Sequence, residues 1–212
     1  MIKKKENRGA LFFDFDGVIV DSVNIKAKAF TDLWSFANKE EKTYIEKYHN
    51  LHGGVSRTVK IKHFLTELFF IPPTENNMKK YETKFSKLVK NSVINCDYIP
   101  GVIDFIEANE SLPKYVISGT PQDELTEILE KRDLTKYFNG ILGTPIKKEA
   151  HLSGLISKYK YNPENCLFFG DAMTDYNAAK ACNVQCVLIN STLDLDILKF
   201  NDFTELTTPP LI

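Results

Sequence analysis

Apolar positions along this chain change period more than once, and each change marks a different kind of element. Residues 10–15, Ala-Leu-Phe-Phe-Asp-Phe, are nearly all apolar with no clean alternation, the pattern of a central strand covered on both faces of a mostly parallel sheet. From Asp21 to about Asn95 strand signals are almost absent. Apolar residues recur there at mixed spacings of three and four, as in Ala29, Phe30, Leu33 and Phe36, then Ile61, Phe64, Leu65 and Leu68, then Tyr81, Phe85, Leu88 and Val89. That spacing predicts amphipathic helices. Gly53-Gly54 and Ile71-Pro72-Pro73-Thr74 punctuate the stretch, which divides into about four helices of a small bundle.

After Tyr98-Ile99-Pro100-Gly101 helix and strand alternate. Helices are predicted at 102–106, 122–131, 151–159 and 176–181, and strands at 114–118, 140–142, 166–169 and 185–189; such repeated units imply a parallel sheet with right-handed crossovers. Residues 201–210 are expected to hold an edge strand or extra helix before a tail rich in proline and threonine. Among the aromatics, Phe30, Trp34, Phe36, Phe64, Phe69 and Phe70 fall at helical spacing without interleaved arginines, so they are expected in the bundle core rather than in a base-stacking platform.

Bulk properties narrow the function. A chain of 212 residues can bury one substantial core, with or without a small appended module. With 27 Lys and Arg against 28 Asp and Glu, its net charge of -1 gives no positive field for a nucleic-acid polymer. No stretch approaches the roughly 20 apolar residues that span a bilayer, and the basic N-terminus is followed by too short an apolar run for an export signal. Cys166 and Cys186 sit in core-strand runs, and Cys182 with Cys186 lacks the partners of a zinc site. Free thiols and a cytoplasmic location are therefore expected, with no membrane partner and the oligomeric state open.

The candidate chemistry lies where strands end. Asp14 and Asp16, in Asp14-Phe15-Asp16-Gly17, follow the first apolar run, and Asp171 and Asp175, in Gly170-Asp171-Ala172-Met173-Thr174-Asp175, follow a later one. Ligands of parallel sheets bind beyond the carboxyl ends of strands, and carboxylates clustered there require a cation if they are to accept an anionic substrate. Each residue also has a plainer role open to it: Asp16 as a turn former before Gly17, Ser118 as a cap of the helix that follows Pro121, Asp175 as a helix N-cap.

The ordered set Asp14-Phe15-Asp16-Gly17-Val18-Ile19, Ser118-Gly119-Thr120, a lysine at 147 or 148, and Gly170-Asp171 with Asp175 resembles the haloacid dehalogenase-like hydrolase superfamily. The helical segment falls where the subgroup that includes phosphoglycolate phosphatase and beta-phosphoglucomutase carries its cap. The resemblance implies an α/β fold: a Rossmann-like three-layer parallel-sheet core at residues 1–19 and 97–212, with an α-helical cap inserted at 20–96. It also implies Mg2+ as cofactor and a small phosphorylated metabolite, a sugar phosphate or a short phospho-acid, as substrate. Phosphomonoester hydrolysis leads; a sugar-phosphate mutase, a phosphonate hydrolase and a non-catalytic binding protein are the rivals.

In that scheme Asp14 is the nucleophile and Asp16 the general acid and base, with the Asp16 backbone carbonyl facing the metal as the resemblance implies. Asp14 and Asp171 ligate magnesium directly, while Asp175 completes the shell through water or orients the lysine. The Ser118 hydroxyl and the Gly119 and Thr120 amides meet the transferring oxygens. Lys148 starts the helix that carries Leu152, Leu155 and Ile156 and is the chosen cation, with Lys147 as its close rival. Arg57, after His52-Gly53-Gly54-Val55-Ser56, is the candidate substrate clamp, and Lys26 has two readings open to it, a cleft residue or ordinary surface charge. His49, His52 and His63 match no metal spacing and are expected at the surface or the cap interface.

Overall fold

The computed structural model describes residues 9–206. The readings of an export signal and of a terminal tail therefore fall largely outside the described residues. Six strands, β1 (Ala10–Phe13), β2 (Lys114–Pro121), β3 (Gly140–Thr144), β4 (Cys166–Gly170), β5 (Gln185–Ile189) and β6 (Lys199–Phe200), form one sheet. Their order is β3-β2-β1-β4-β5-β6, and every pairing is parallel. With helices on both faces this is an α/β, Rossmann-like fold, and the order reverses direction at β1.

The unbroken apolar run of β1 has a simple cause. Successive side chains of a strand point to opposite faces; Leu11 and Phe13 join one apolar cluster, while Ala10 and Phe12 join the other. Phe12 stacks on Tyr115 and Phe168 at ring separations of 5.5 and 6.4 Å, and Phe13 stacks on Phe169 at 5.0 Å. Every position of the strand is buried, so none is left for a polar residue, and truncating such a phenylalanine to alanine costs about 3–5 kcal/mol.

Four helices, α1 (Val23–Leu33), α2 (Lys39–Leu51), α3 (Arg57–His63) and α4 (Glu75–Asn95), follow β1 in the chain. Asn38 and Glu41 form a reciprocal capping box at the start of α2, and Thr74 caps α4 after the two prolines. A π-helical turn at Phe64–Leu68 prolongs α3. Trp34 is buried between Phe69 and Tyr81, and Phe30, Phe64 and Phe85 fill the same interior, which is continuous with the cluster on the Phe13 face of the sheet. Phe36 and Phe70 depart from expectation at 60% and 85% exposure; both lie past the ends of their helical segments, where the helical spacing no longer applies. His49 is not at the surface: it is buried at 7% exposure on the wall of the cavity between the insert and the strand ends, the second of the two places expected for it.

The second half supplies α5 (Val102–Ala108), α6 (Gln122–Lys131), α7 (Lys148–Tyr159) and α8 (Met173–Ala181). Helix α7 begins at Lys148, where the choice of that lysine placed it, although apolar periodicity alone starts at 151; α8 begins three residues before its predicted position because its opening turn buries a polar residue, Asp175, which a search for apolar periodicity passes over. All four cysteines are free, and no helix among the described residues is long and apolar enough to cross a membrane.

Candidate active site

Three strand ends converge. Backbone pairing continues one residue past β1, where the Asp14 amide donates to the Phe169 carbonyl at 2.9 Å, and the chain then turns through Gly17. Gly17 sits at φ +78°, and a side chain there would meet Asp171 Oδ2 at 2.5 Å; only glycine lets the two acidic loops approach this closely. Asp14, Asp171 and Asp175 each present an oxygen within 4.8 Å of the others. Lys148 Nζ lies between two of them, 2.9 Å from Asp14 Oδ2 and 2.6 Å from Asp175 Oδ1. Asp175 Oδ2 also accepts the Ala172 amide at 3.1 Å, so this side chain both caps α8 and aims the lysine. Lys147, 81% exposed, faces Glu149 instead.

The electrostatics follow from burial. Loss of solvent pushes Asp14 up to about 7 despite the pull of Lys148, with Asp175 and Asp16 adding to the rise; the same loss, reinforced by Asp14, raises Asp171 well above the carboxylate range. Lys148 is raised in turn, because Asp14 and Asp175 outweigh its burial. Mutual repulsion among three clustered carboxylates, Asp14 and Asp175 buried and Asp171 half-buried, is what a divalent cation would relieve, and a set made only of carboxylate oxygens suits a hard ion such as magnesium.

Asp16 is held apart from that trio. Ser22 Oγ donates to its Oδ1 at 2.5 Å, Thr120 Oγ1 donates to Oδ2 at 3.1 Å, and Lys26 Nζ pairs with Oδ2. Burial would raise Asp16, but Lys26 and these hydrogen bonds prevail and it lies below its ordinary value. Lys26 also donates to Thr120 Oγ1 at 2.9 Å, so it is a cleft residue rather than surface charge. The Thr120 amide, expected to face the substrate, donates instead to Ser118 Oγ at 3.1 Å in a local turn; Thr120 reaches the site through its hydroxyl.

A cavity of about 500 Å³ opens over these groups, its walls shared by Asp14, Asp16, Gly119 and Asp171 with Lys26 and Lys60 from the helical insert. Ser118 is 1% exposed and adjoins Gly119 in the chain. A Cβ on Gly119 would meet the Gly54 carbonyl oxygen at 2.8 Å, and one on Gly54 (φ +71°) would meet Thr174 Oγ1 at 1.8 Å. The loop at 52–55 therefore rests directly on the Gly119 end of β2 and on the turn after β4 that leads into α8. Arg57 is placed otherwise than as a free clamp: its guanidinium donates to both Glu124 oxygens on α6 and to Ser86 Oγ on α4, the latter at 2.7 Å, and it lies 4.9 Å over the Phe85 ring. Lys60 was not singled out by sequence, and His49 was read only as a surface or cap-interface residue; the available signal for Lys60 was its place one turn after Arg57 on the buried side of a helix.

An acidic site at the strand-order reversal of a parallel sheet, roofed by inserted helices, defines a class of α/β hydrolytic site. The chain belongs to the haloacid dehalogenase-like hydrolase family, whose pattern spans residues 11–189. It is 29% identical to the phosphorylated carbohydrates phosphatase of Thermotoga maritima over 83% of this chain and 82% of that one. It is 26% identical to phosphoglycolate phosphatase 1 of Pseudomonas aeruginosa over 84% of this chain and 68% of that one. The solved structure of CbbY from Rhodobacter sphaeroides in complex with phosphate superimposes with a TM-score of 0.74 at 15% identity, covering 93% of this chain and 95% of that one.

Proposed function

We propose that the protein is a magnesium-dependent phosphomonoester hydrolase that acts on a small phosphorylated metabolite through an aspartyl-phosphate. The observation that carries this reading is the Asp14 carboxylate, set in the cavity wall with one oxygen held by the Phe15 amide at 2.7 Å and the other by Lys148 at 2.9 Å. The names of the two curated relatives, both phosphatases, support it. Residues 1–19 and 97–212 form the catalytic core in this reading, and 20–96 form the cap.

Asp14, Asp171 and Asp175 would hold the magnesium, which when bound neutralises charge on the phosphate and on the carboxylates around it. In the first step an Asp14 oxygen bonds to phosphorus as the ester oxygen departs with a proton from Asp16, splitting one displacement into two. In the second step water attacks the aspartyl-phosphate and its proton passes to Asp16, which regenerates both carboxyl groups in their starting states. Lys26, Ser22 and Thr120 hold Asp16 in place for both transfers; because they favour its ionised form, Asp16 takes up its proton from solvent only as the anionic phosphate enters and offsets the charge of Lys26, and then passes that proton to the leaving oxygen. Lys148 fixes the nucleophile and balances charge without giving up a proton. The Ser118 hydroxyl and the Gly119 amide face the charge that develops on the transferring oxygens, where one donor is worth about 3 kcal/mol.

A panel of small phosphate esters, scored for released phosphate with magnesium and with a chelator, tests this reading. Turnover should need the metal and fall at least about 1,000-fold in Asp14→Asn. Isomerised sugar phosphate without free phosphate would point to a mutase, and undiminished turnover in Asp14→Asn would end the scheme.

A further inference from the structure

Lys60 is 2% exposed, yet it lines the cavity that contains Asp14. Its ammonium donates to His49 Nδ1 at 3.1 Å and is 3.3 Å from the His49 carbonyl oxygen; among the described residues it makes no ion pair. The neighbouring cations differ on this point. Arg57, one turn earlier, is matched by Glu124, and Lys26 is matched by Asp16. Lys114, also buried without a carboxylate, is bonded to the carbonyls of Asn109 and Leu112 at 2.6 and 3.1 Å and lies outside the cavity wall.

A buried cation without a counter-charge is costly, and here burial and Lys26 hold Lys60 down to about 7. An ammonium has three protons to donate, and the two contacts with His49 leave one for a ligand. Because His49 Nδ1 accepts from Lys60, the ring proton belongs on Nε2, which supplies a second donor at a residue that also lines the cavity. The cap-side wall thus carries a cation with no ion-pair partner, answered only by the Phe30 ring 5.6 Å away and, at longer range, by the Asp16 and Asp171 carboxylates of the same cavity.

We propose that Lys60, backed by His49, receives a second anionic group of the substrate, so that the preferred ester is a small phosphate monoester with a carboxylate or a second phosphate at its far end. This rests on the hydrolase reading for the chemistry but not for the binding. Apolar lining alone would select by size; an unmatched cation selects by charge, because an ester without the second anion leaves it buried and unpaired.

The test separates binding from turnover. In Asp14→Asn protein, which keeps ligands intact, calorimetric titrations with magnesium present use phosphoglycolate, fructose bisphosphate and glycerol phosphate as probes. Lys60→Met in that background should weaken at least one of the first two by about 100-fold and leave glycerol phosphate within about threefold; the probe that is weakened tells carboxylate from phosphate. Lys60→Gln, which keeps a donor without the charge, should lose nearly as much, while Lys60→Arg should retain most of the affinity. Equal affinity for all three probes before mutation, or an equal loss for all three after it, overturns the proposal. Phosphate release by the unmutated protein is scored in parallel: no release from any ester refutes the hydrolase reading alone, and the titrations still decide the role of Lys60. Melting curves check that the variants fold, as expected when an unpaired buried cation gives way to an apolar chain.

Discussion

Breaking the Arg57–Glu124 pair should loosen the cap rather than remove a substrate contact, and the size of the effect can be worked out in advance. Both side chains are nearly buried, at 5% and 9% exposure, and Ser86 Oγ adds a hydrogen bond to Glu124 Oε2 at 2.5 Å. Arg57 holds Glu124 below its ordinary value in spite of burial. Removing one member of such a pair leaves the other charged and unanswered, at a cost of about 3–5 kcal/mol. For a chain of this length each kcal/mol moves the melting temperature by about 2–4 °C, so Glu124→Gln and Arg57→Met should each melt about 6–20 °C below the parent. Combining Arg57→Met, Glu124→Met and Ser86→Ala removes charges and orphaned hydroxyl together and should return most of the loss, giving a coupling energy of about 3 kcal/mol in the cycle. The assay is paired melting curves and steady-state kinetics. If Arg57→Met abolishes turnover while the melting temperature stays put, the guanidinium acts on substrate and this reasoning is wrong.

Lys60 should leave its mark on the pH dependence of stability. Its pKa falls from 10.5 unfolded to about 7 folded, so between these values the unfolded chain binds more protons and stability rises with pH by about 1.4 kcal/mol per pH unit. Urea titrations from pH 7 to 9.5 should show that rise in the parent and a flatter profile in Lys60→Met; parallel profiles would refute it. Gly54→Ala places a Cβ 1.8 Å from Thr174 Oγ1 at a positive φ, so it should unseat the 52–55 loop and lower kcat/KM. Adding Thr174→Ala should recover part of the loss, and no recovery would mean that the φ strain dominates. Chelation should lower the melting temperature and magnesium restore it, with the gain reduced in Asp171→Asn; a metal response unchanged in that variant would place the cation elsewhere.

Much of the architecture was legible because burial on both sides of a sheet leaves apolar runs: β1, β4 and β5 announce themselves, and α6 carries Leu125, Ile128 and Leu129 on one face. Elements stabilised by polar groups were harder to see. The first turn of α8 hides behind Asp175, that of α7 shows only in the choice of Lys148 and not in apolar period, and β6, two residues long, has no period to detect. At the site, strand-end carboxylates could be read because their spacing is local. The commitments of Arg57 to Glu124 and of Lys60 to His49 join residues from different helices, and no spacing rule carries that information.

Placing the helical insert directly after β1 also shapes how the chain reaches its native state. Leu11 pairs with Lys114, and Ala10 with Cys166, so the central strand is the first strand made and acquires its neighbours only after the whole helical insert has followed it. Contacts this distant in sequence slow folding and leave an apolar edge exposed to association in the meantime. The bundle at α1–α4 is built from nearby contacts and can form while the ribosome still holds the rest, shortening the path over which Phe12 and Phe13 wait for a sheet.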